Sequence, residues 1–306
     1  VRAAVDQAQA AWQQLGNGDL FAVWTGEVRP QVVATIDQAQ AETAALAPLY
    51  VAAVLATAGS ISAPVAALVT VAFAGVAANG LPLGLVVDFA FRRYQQALAA
   101  GMPPSEARAI GLARLLTYVS TETADAGRLA HAAAALAEPE IAGYERIVAL
   151  PACGRCILLA GRLYLYSTGF LRHPRCDCQI KPVTWKQWRD DRPRNHPRAL
   201  FDAMTPAQQN KAFGVGDAEA IRAGADISRV VNARRNAVYV AGSHEYTREA
   251  TTVRGIGHQL GELGKQPGRR YQSARTPRPT AAQLVNTARD RDELITQLRR
   301  FGYLKG

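Results

Sequence analysis

Outside residues 153–178 the sequence has no cysteine, and inside that window it has four. A disulfide framework spread over the chain is thereby excluded. Aromatic residues are scarce at 7%, so any core must come mainly from Ala, Val and Leu, a composition that favours closely packed helices. The familiar catalytic signatures are missing too. There is no Gly-x-Ser-x-Gly elbow, Walker loop or His-Glu-x-x-His, which removes the usual hydrolase, phosphate-loop and metalloprotease readings. Pro151-Ala152-Cys153-Gly154-Arg155-Cys156 comes close to the Pro-Cys-x-x-Cys half of the zinc deaminase motif without matching it, and the His-x-Glu half is absent upstream. Gly214 and Gly216 fail the dinucleotide spacing and follow no strand pattern, so they read as a turn. These absences point away from an enzyme.

Charge is missing locally as well. From Thr43 to Val87 no residue is charged, yet Pro48, Gly59, Pro64, Asn79, Gly80 and Pro82 chop the run into pieces shorter than the ~20 apolar residues a membrane span needs. The piece 64–78 reads as a buried helix lined by Val65, Leu68, Val69, Ala72 and Val76. A transient membrane contact through 64–78 is the runner-up. Over the whole chain the balance is basic, with a net charge of +10 and a pI near 9.8. A polyanionic partner, DNA foremost, suits that charge, and an arginine-rich codon bias accounts for part of it.

What is present is concentrated in the cysteine window. Cys153 and Cys156 form a Cys-x-x-Cys knuckle, and His-Pro-Arg-Cys-Asp-Cys supplies His173, Cys176 and Cys178. Thiolates and imidazole suit a tetrahedral zinc ion, and a two-residue gap lets both sulfurs reach one ion from a single turn, which Gly154 eases. The competing reading is a pair of disulfides, disfavoured because the first residues show a polar, alanine-rich helical pattern and not a secretory signal. A thioredoxin-like redox pair lacks its βαβ surroundings. Four ligands are needed and five are on offer, so either His173 or Cys178 completes the site. Asp177 reads as a supporting or surface acid.

Along the chain, helices are expected over Ala3–Leu15, Val32–Leu46, Leu83–Ala99 and from Pro104 to Tyr118, continuing with or without a break from Thr121 to Ala137. Tyr144–Leu150, Arg162–Ser167 and Gln179–Trp185 read as strands around the metal loop. Thr205 and Pro206 open a further helix, followed by short helices over Ala218–Ala223 and Ile227–Arg234 with the look of a helix-turn-helix. From Asn236 to Pro279 periodicity fades, and Lys265, Arg269, Arg270, Arg275 and Arg278 follow one another without an intervening acid. That segment reads as an extended arm. With Arg234 and Arg235 it offers phosphate neutralisation to a nucleic acid or another partner. A last helix is capped by Thr280 and runs to Arg300. The fold class is therefore mainly α: a helical domain over 1–140, a zinc-stapled α+β insert over 141–200, short helices over 201–235, the basic arm over 236–279 and a C-terminal helix over 280–306.

The order Cys153, Cys156, Gly161, Tyr164, Phe170, Arg172, His173, Pro174, Cys176, Asp177, Cys178 resembles the signature of the phage Mu F-like minor head proteins, in the form carried by tailed phages of high-GC actinobacteria. Residues 212–236 and 291–304 agree with it. The resemblance implies a structural, non-enzymatic minor capsid protein. It would sit in the virion, inside the capsid near the portal, after assembly in the host cytoplasm, and would support head assembly, DNA packaging or DNA ejection. The partners implied are the portal protein, the major capsid protein and packaged double-stranded DNA. A chain opening on Val1 suits a piece of a longer fusion. The alternatives are a zinc-dependent enzyme acting on nucleic acid, or a plain DNA-binding protein.

Overall fold

The computed structural model describes residues 1–16, 18–166, 173, 176, 178–190, 196–235, 238–249, 263–264 and 273–304. They fall into two compact units, Val1–Ile147 with Arg162–Arg192, and Val148–Gly161 with Pro193–Gly306. The chain is mainly helical, as expected. The expected insert over 141–200 is not a unit of its own: its strands belong to the first unit and its Cys-x-x-Cys segment to the second.

The first unit is built from α1 (Arg2–Gln13), α2 (Leu20–Val23), α3 (Arg29–Ala45), α4 (Ala47–Thr57), α5 (Leu83–Ala99) and α6 (Pro104–Leu136). α1 buries Ala4, Ala8, Ala11 and Trp12 at helical spacing, and Trp12 meets Trp24 and Tyr94 edge-on at 5.8 and 5.9 Å. Trp24 stacks on Phe91 at 4.9 Å and donates its indole N–H to Asp88 at 2.9 Å. A chain poor in aromatics has thus gathered several into one knot, where large apolar areas contribute most. The helical stretch expected over 104–137, with or without a break, is one continuous 33-residue helix, α6. Gly111 lets it cross close by, because a Cβ there would stand 2.6 Å from Trp12 and 2.7 Å from Tyr94. Gly111→Ala is expected to destabilise the unit by about 1–3 kcal/mol, the range for overpacking, read as a lowered urea midpoint.

The buried helix expected over 64–78 does not form. That stretch is irregular apart from a single 3-10 turn at Thr70–Phe73, and Val65 is 78% exposed, with Val69 and Val76 exposed as well. Polar side chains of neighbouring segments hold it and the residues just before it instead. Gln40 donates to Val76 O and accepts from Gly75 N, Glu122 accepts from Ala78 N at 2.7 Å, and Glu138 accepts from Ser62 and from Ala63 N. Backbone groups that no helix satisfies must find such partners. A helical run from Leu20 to Thr57 is long and apolar enough to cross a membrane, but it buries Trp24, Val32, Ile36, Val51 and Leu55 in the unit's cores. It behaves as core.

β1 (Ile141–Ile147), β2 (Leu163–Tyr164) and β3 (Gln179–Thr184) form an antiparallel sheet in the order β2-β1-β3, and α8 (Trp185–Arg189) follows on a capping box from Thr184. Burial pushes the Tyr144 hydroxyl of β1 up to about 12.

The second unit contains α7 (Gly154–Leu159), α9 (Pro197–Asp202), α10 (Pro206–Phe213), α11 (Val215–Arg222), α12 (Ile227–Ala233), α13 (Ala281–Thr287) and α14 (Arg291–Arg300). Thr205 and Thr280 cap α10 and α13 as their sequence positions predict. The single terminal helix expected over 280–300 is broken at Ala288, where the backbone turns extended and Asp290 caps a new helix. The expected arm over 236–279 is in part a sheet. β4 (Val238–Ala241), β5 (His244–Glu249), β6 (Leu263–Gly264) and β7 (Ser273–Pro279) pair in the order β4-β5-β7-β6. Its inner face buries Thr247, Glu249 and Arg278.

Asp217 ties this unit together, accepting from Ala282 N at 3.0 Å and from Arg234, which also bridges to Glu245 on β5. Tyr303 is fully buried and donates to Pro279 O at 2.9 Å. Burial pushes its hydroxyl up to about 12. An unfolded tyrosine ionises near 10, so Tyr303's contribution is intact below about pH 10 and is lost as pH rises toward 12, about 2–3 kcal/mol in all. Denaturant midpoints taken across this alkaline window should fall for wild type and stay flatter for Tyr303→Phe.

Candidate metal centre

The two halves of the cysteine window are positioned by different local structures. Cys153 is the N-cap of α7, and its sulfur accepts from Cys156 N at 3.5 Å. α7 is anchored by Ile157, fully buried in a cluster with Phe201, Phe213, Ile221 and Val230. Gly154 has a different job from the one its turn position suggests. Its backbone is helical, but a Cβ would stand 2.8 Å from the Phe213 ring and 3.2 Å from Ala212 O. Close packing against the end of α10 is what requires glycine. Gly154→Ala is expected to cost about 1–3 kcal/mol and to loosen metal binding, both measurable in a chelator-competition titration with a parallel urea melt.

His173, Cys176 and Cys178 precede β3. Cys176 N donates to His173 O at 3.1 Å, and Cys176 and Cys178 are buried. The group that holds Cys176 and Cys178 is Arg128, on α6 and 4% exposed. Its guanidinium pairs with Asp125 at 2.5 Å, donates to Cys178 O at 2.8 Å and donates also to Cys176 O. Two carbonyls of the ligand segment are thus tied to a rigid helix by one planar fork, the geometry for which guanidinium is suited. Nothing in the sequence read alone marks Arg128. The one available signal is an Asp125–Arg128 pair at helical spacing on a stretch otherwise rich in alanine.

Cys153 and Cys156 belong to the second unit and His173, Cys176 and Cys178 to the first. These five side chains are of the kinds that could hold a metal ion. The donor set fits: three buried sulfurs, a partly exposed fourth and an imidazole make a soft set suited to zinc-like ions and poorly suited to calcium or magnesium.

A protein-family model described as VG15 protein matches residues 2–207, a span that includes all five ligand candidates. The chain belongs to the VG15 family. Membership points to a phage protein. No curated protein and no solved structure matches this VG15 chain.

The basic residues expected to meet a partner are scattered in their surroundings. Arg278 is a correction: it is 5% exposed, donates to Glu249 O at 3.0 Å and lies 3.5 Å from the Glu249 carboxylate, so it fills the sheet's inner face. Arg234 is engaged by Asp217 and Glu245. Arg235 is half-buried and Arg275 is exposed. Lys265, Arg269 and Arg270 lie outside the described residues.

Proposed function

We propose that this VG15 chain is a structural minor capsid protein of a tailed phage, held inside the head near the portal vertex and supporting head assembly, DNA packaging or DNA ejection. The observation that carries the reading is the family match over 2–207 together with the Cys-x-x-Cys and His-Pro-x-Cys-x-Cys signature inside it. The cluster of Cys153, Cys156, His173, Cys176 and Cys178 would hold one structural zinc ion, which supplies folding energy and needs no open coordination position. Portal and major capsid protein are the proposed protein partners, and the net charge of +10 suits the packaged duplex.

The exposed, charge-free loop of the first unit supports a protein-docking role over a bilayer one. Its irregular backbone relies on side chains for hydrogen bonds, and such backbone is not tolerated in contact with lipid tails. Mass spectrometry of purified virions and of portal-containing subassemblies tests the reading. The chain should be present in both at a fixed ratio to portal. Its absence from the virion would contradict the proposal.

A further inference from the structure

The outer face of the second unit's sheet carries an aromatic and cationic surface that the head reading does not use. On β5 the buried Thr247 and Glu249 alternate with Tyr246 and Arg248, which therefore point to the opposite face. Tyr239 of β4 pairs with Tyr246 across the strands, the rings stacked at 5.9 Å and 27°. Arg248 places its guanidinium 5.7 Å over the Tyr239 ring, and the His244 ring lies 6.3 Å from that of Tyr246. Tyr239 is 36% exposed, and Arg275 is exposed on the neighbouring strand β7. The two acids of β5, Glu245 and Glu249, alternate onto the other face, where they pair with Arg234 and Arg278.

We propose that this face is a stacking platform for single-stranded nucleic acid. The partly exposed tyrosine rings match unstacked bases, every one of which has a π-face, while Arg248 and Arg275 neutralise the phosphates alongside. A duplex keeps its bases stacked and offers these rings nothing but backbone. A cross-strand tyrosine pair can also serve the sheet alone, and the two roles differ in what they change. The inference does not rest on placement in the phage head and is tested on the isolated protein.

The test is fluorescence anisotropy of the full chain with labelled oligothymidylate, oligouridylate and a duplex, each of about 12 residues, a length within the range such surfaces cover. Both single strands should bind ahead of the duplex, and the tighter of the two identifies DNA or RNA as the source. Tyr239→Ala and Tyr246→Ala should each weaken single-strand binding by about 5-fold or more, the loss of one stacked base, whereas Tyr239→Phe should bind like wild type. Arg248→Ala should reduce both the affinity and the slope of its salt dependence. If an alanine variant proves unstable, photocrosslinking of wild type to a strand carrying 4-thiothymidine decides, with adducts on Tyr239 or Tyr246 supporting the platform. Equal binding of duplex and single strand, unchanged affinity in folded Tyr239→Ala, or crosslinks confined to other surfaces would overturn it.

Discussion

Cys156→Ser is expected to abolish stoichiometric metal binding and to destabilise the protein by more than about 4 kcal/mol, the range associated with loss of a metal or another major structural link. The reason is its burial. Cys156 is the buried sulfur of the Cys-x-x-Cys knuckle and Cys153 the partly exposed one, and among the five candidates no set of four avoids Cys156 without drawing on all the remaining residues. Cys153→Ser or His173→Ala removes a partly exposed ligand, and should leave a weaker but measurable site. Serine is close to cysteine in shape, so packing around α7 is nearly preserved and the loss reports on the thiolate itself. Competition against a chromogenic chelator, with a thermal melt of each variant, checks the ranking. Equal and small effects for Cys153 and Cys156 would show that the buried position has no special weight.

Arg128→Ala is the second large expectation. It removes the buried ion-pair partner of Asp125 and the donors to Cys176 O and Cys178 O in one step. Breaking one side of a buried pair typically costs about 3–5 kcal/mol, because the remaining charge stays desolvated. The ligand segment should lose its orientation too, and loss of such outer support typically weakens metal affinity about 10–100-fold. Arg128→Lys keeps the charge but cannot span Asp125 and two carbonyls with a planar fork, so it should recover part of the stability and little of the affinity. Paired measurements of urea midpoint and metal dissociation constant separate these effects. A variant with wild-type affinity and lowered stability would show that Arg128 supports α6 alone.

Much of the first unit was legible because its signals are local. α1, α3 and α5 follow from apolar spacing, from Pro30 and from the Gly101-Met102-Pro103-Pro104 stop. The five candidate ligands were legible for the same reason, as two short clusters with metal-like spacing. What the sequence concealed depends on partners far along the chain. Residues 64–78 are apolar enough for a buried helix, but Gln40, Glu122 and Glu138 supply hydrogen bonds that favour an irregular path. Arg278 sits in a basic run that reads as an exposed arm, until pairing of β5 with β7 sets it beside Glu249. Strand pairing between segments about 30 residues apart leaves little periodic trace when the strands are short and carry Pro and Arg. Arg128's hold on the ligand segment was hidden because its partners there are backbone carbonyls, which have no sequence signature.

The most direct test of the metal centre is the metal content of the full chain, purified without chelator and measured by elemental analysis beside a count of reactive thiols. One zinc per chain, with the four thiols protected until a chelator releases the metal, is the predicted result. A metal-free chain whose four thiols react freely while it stays folded would contradict the account.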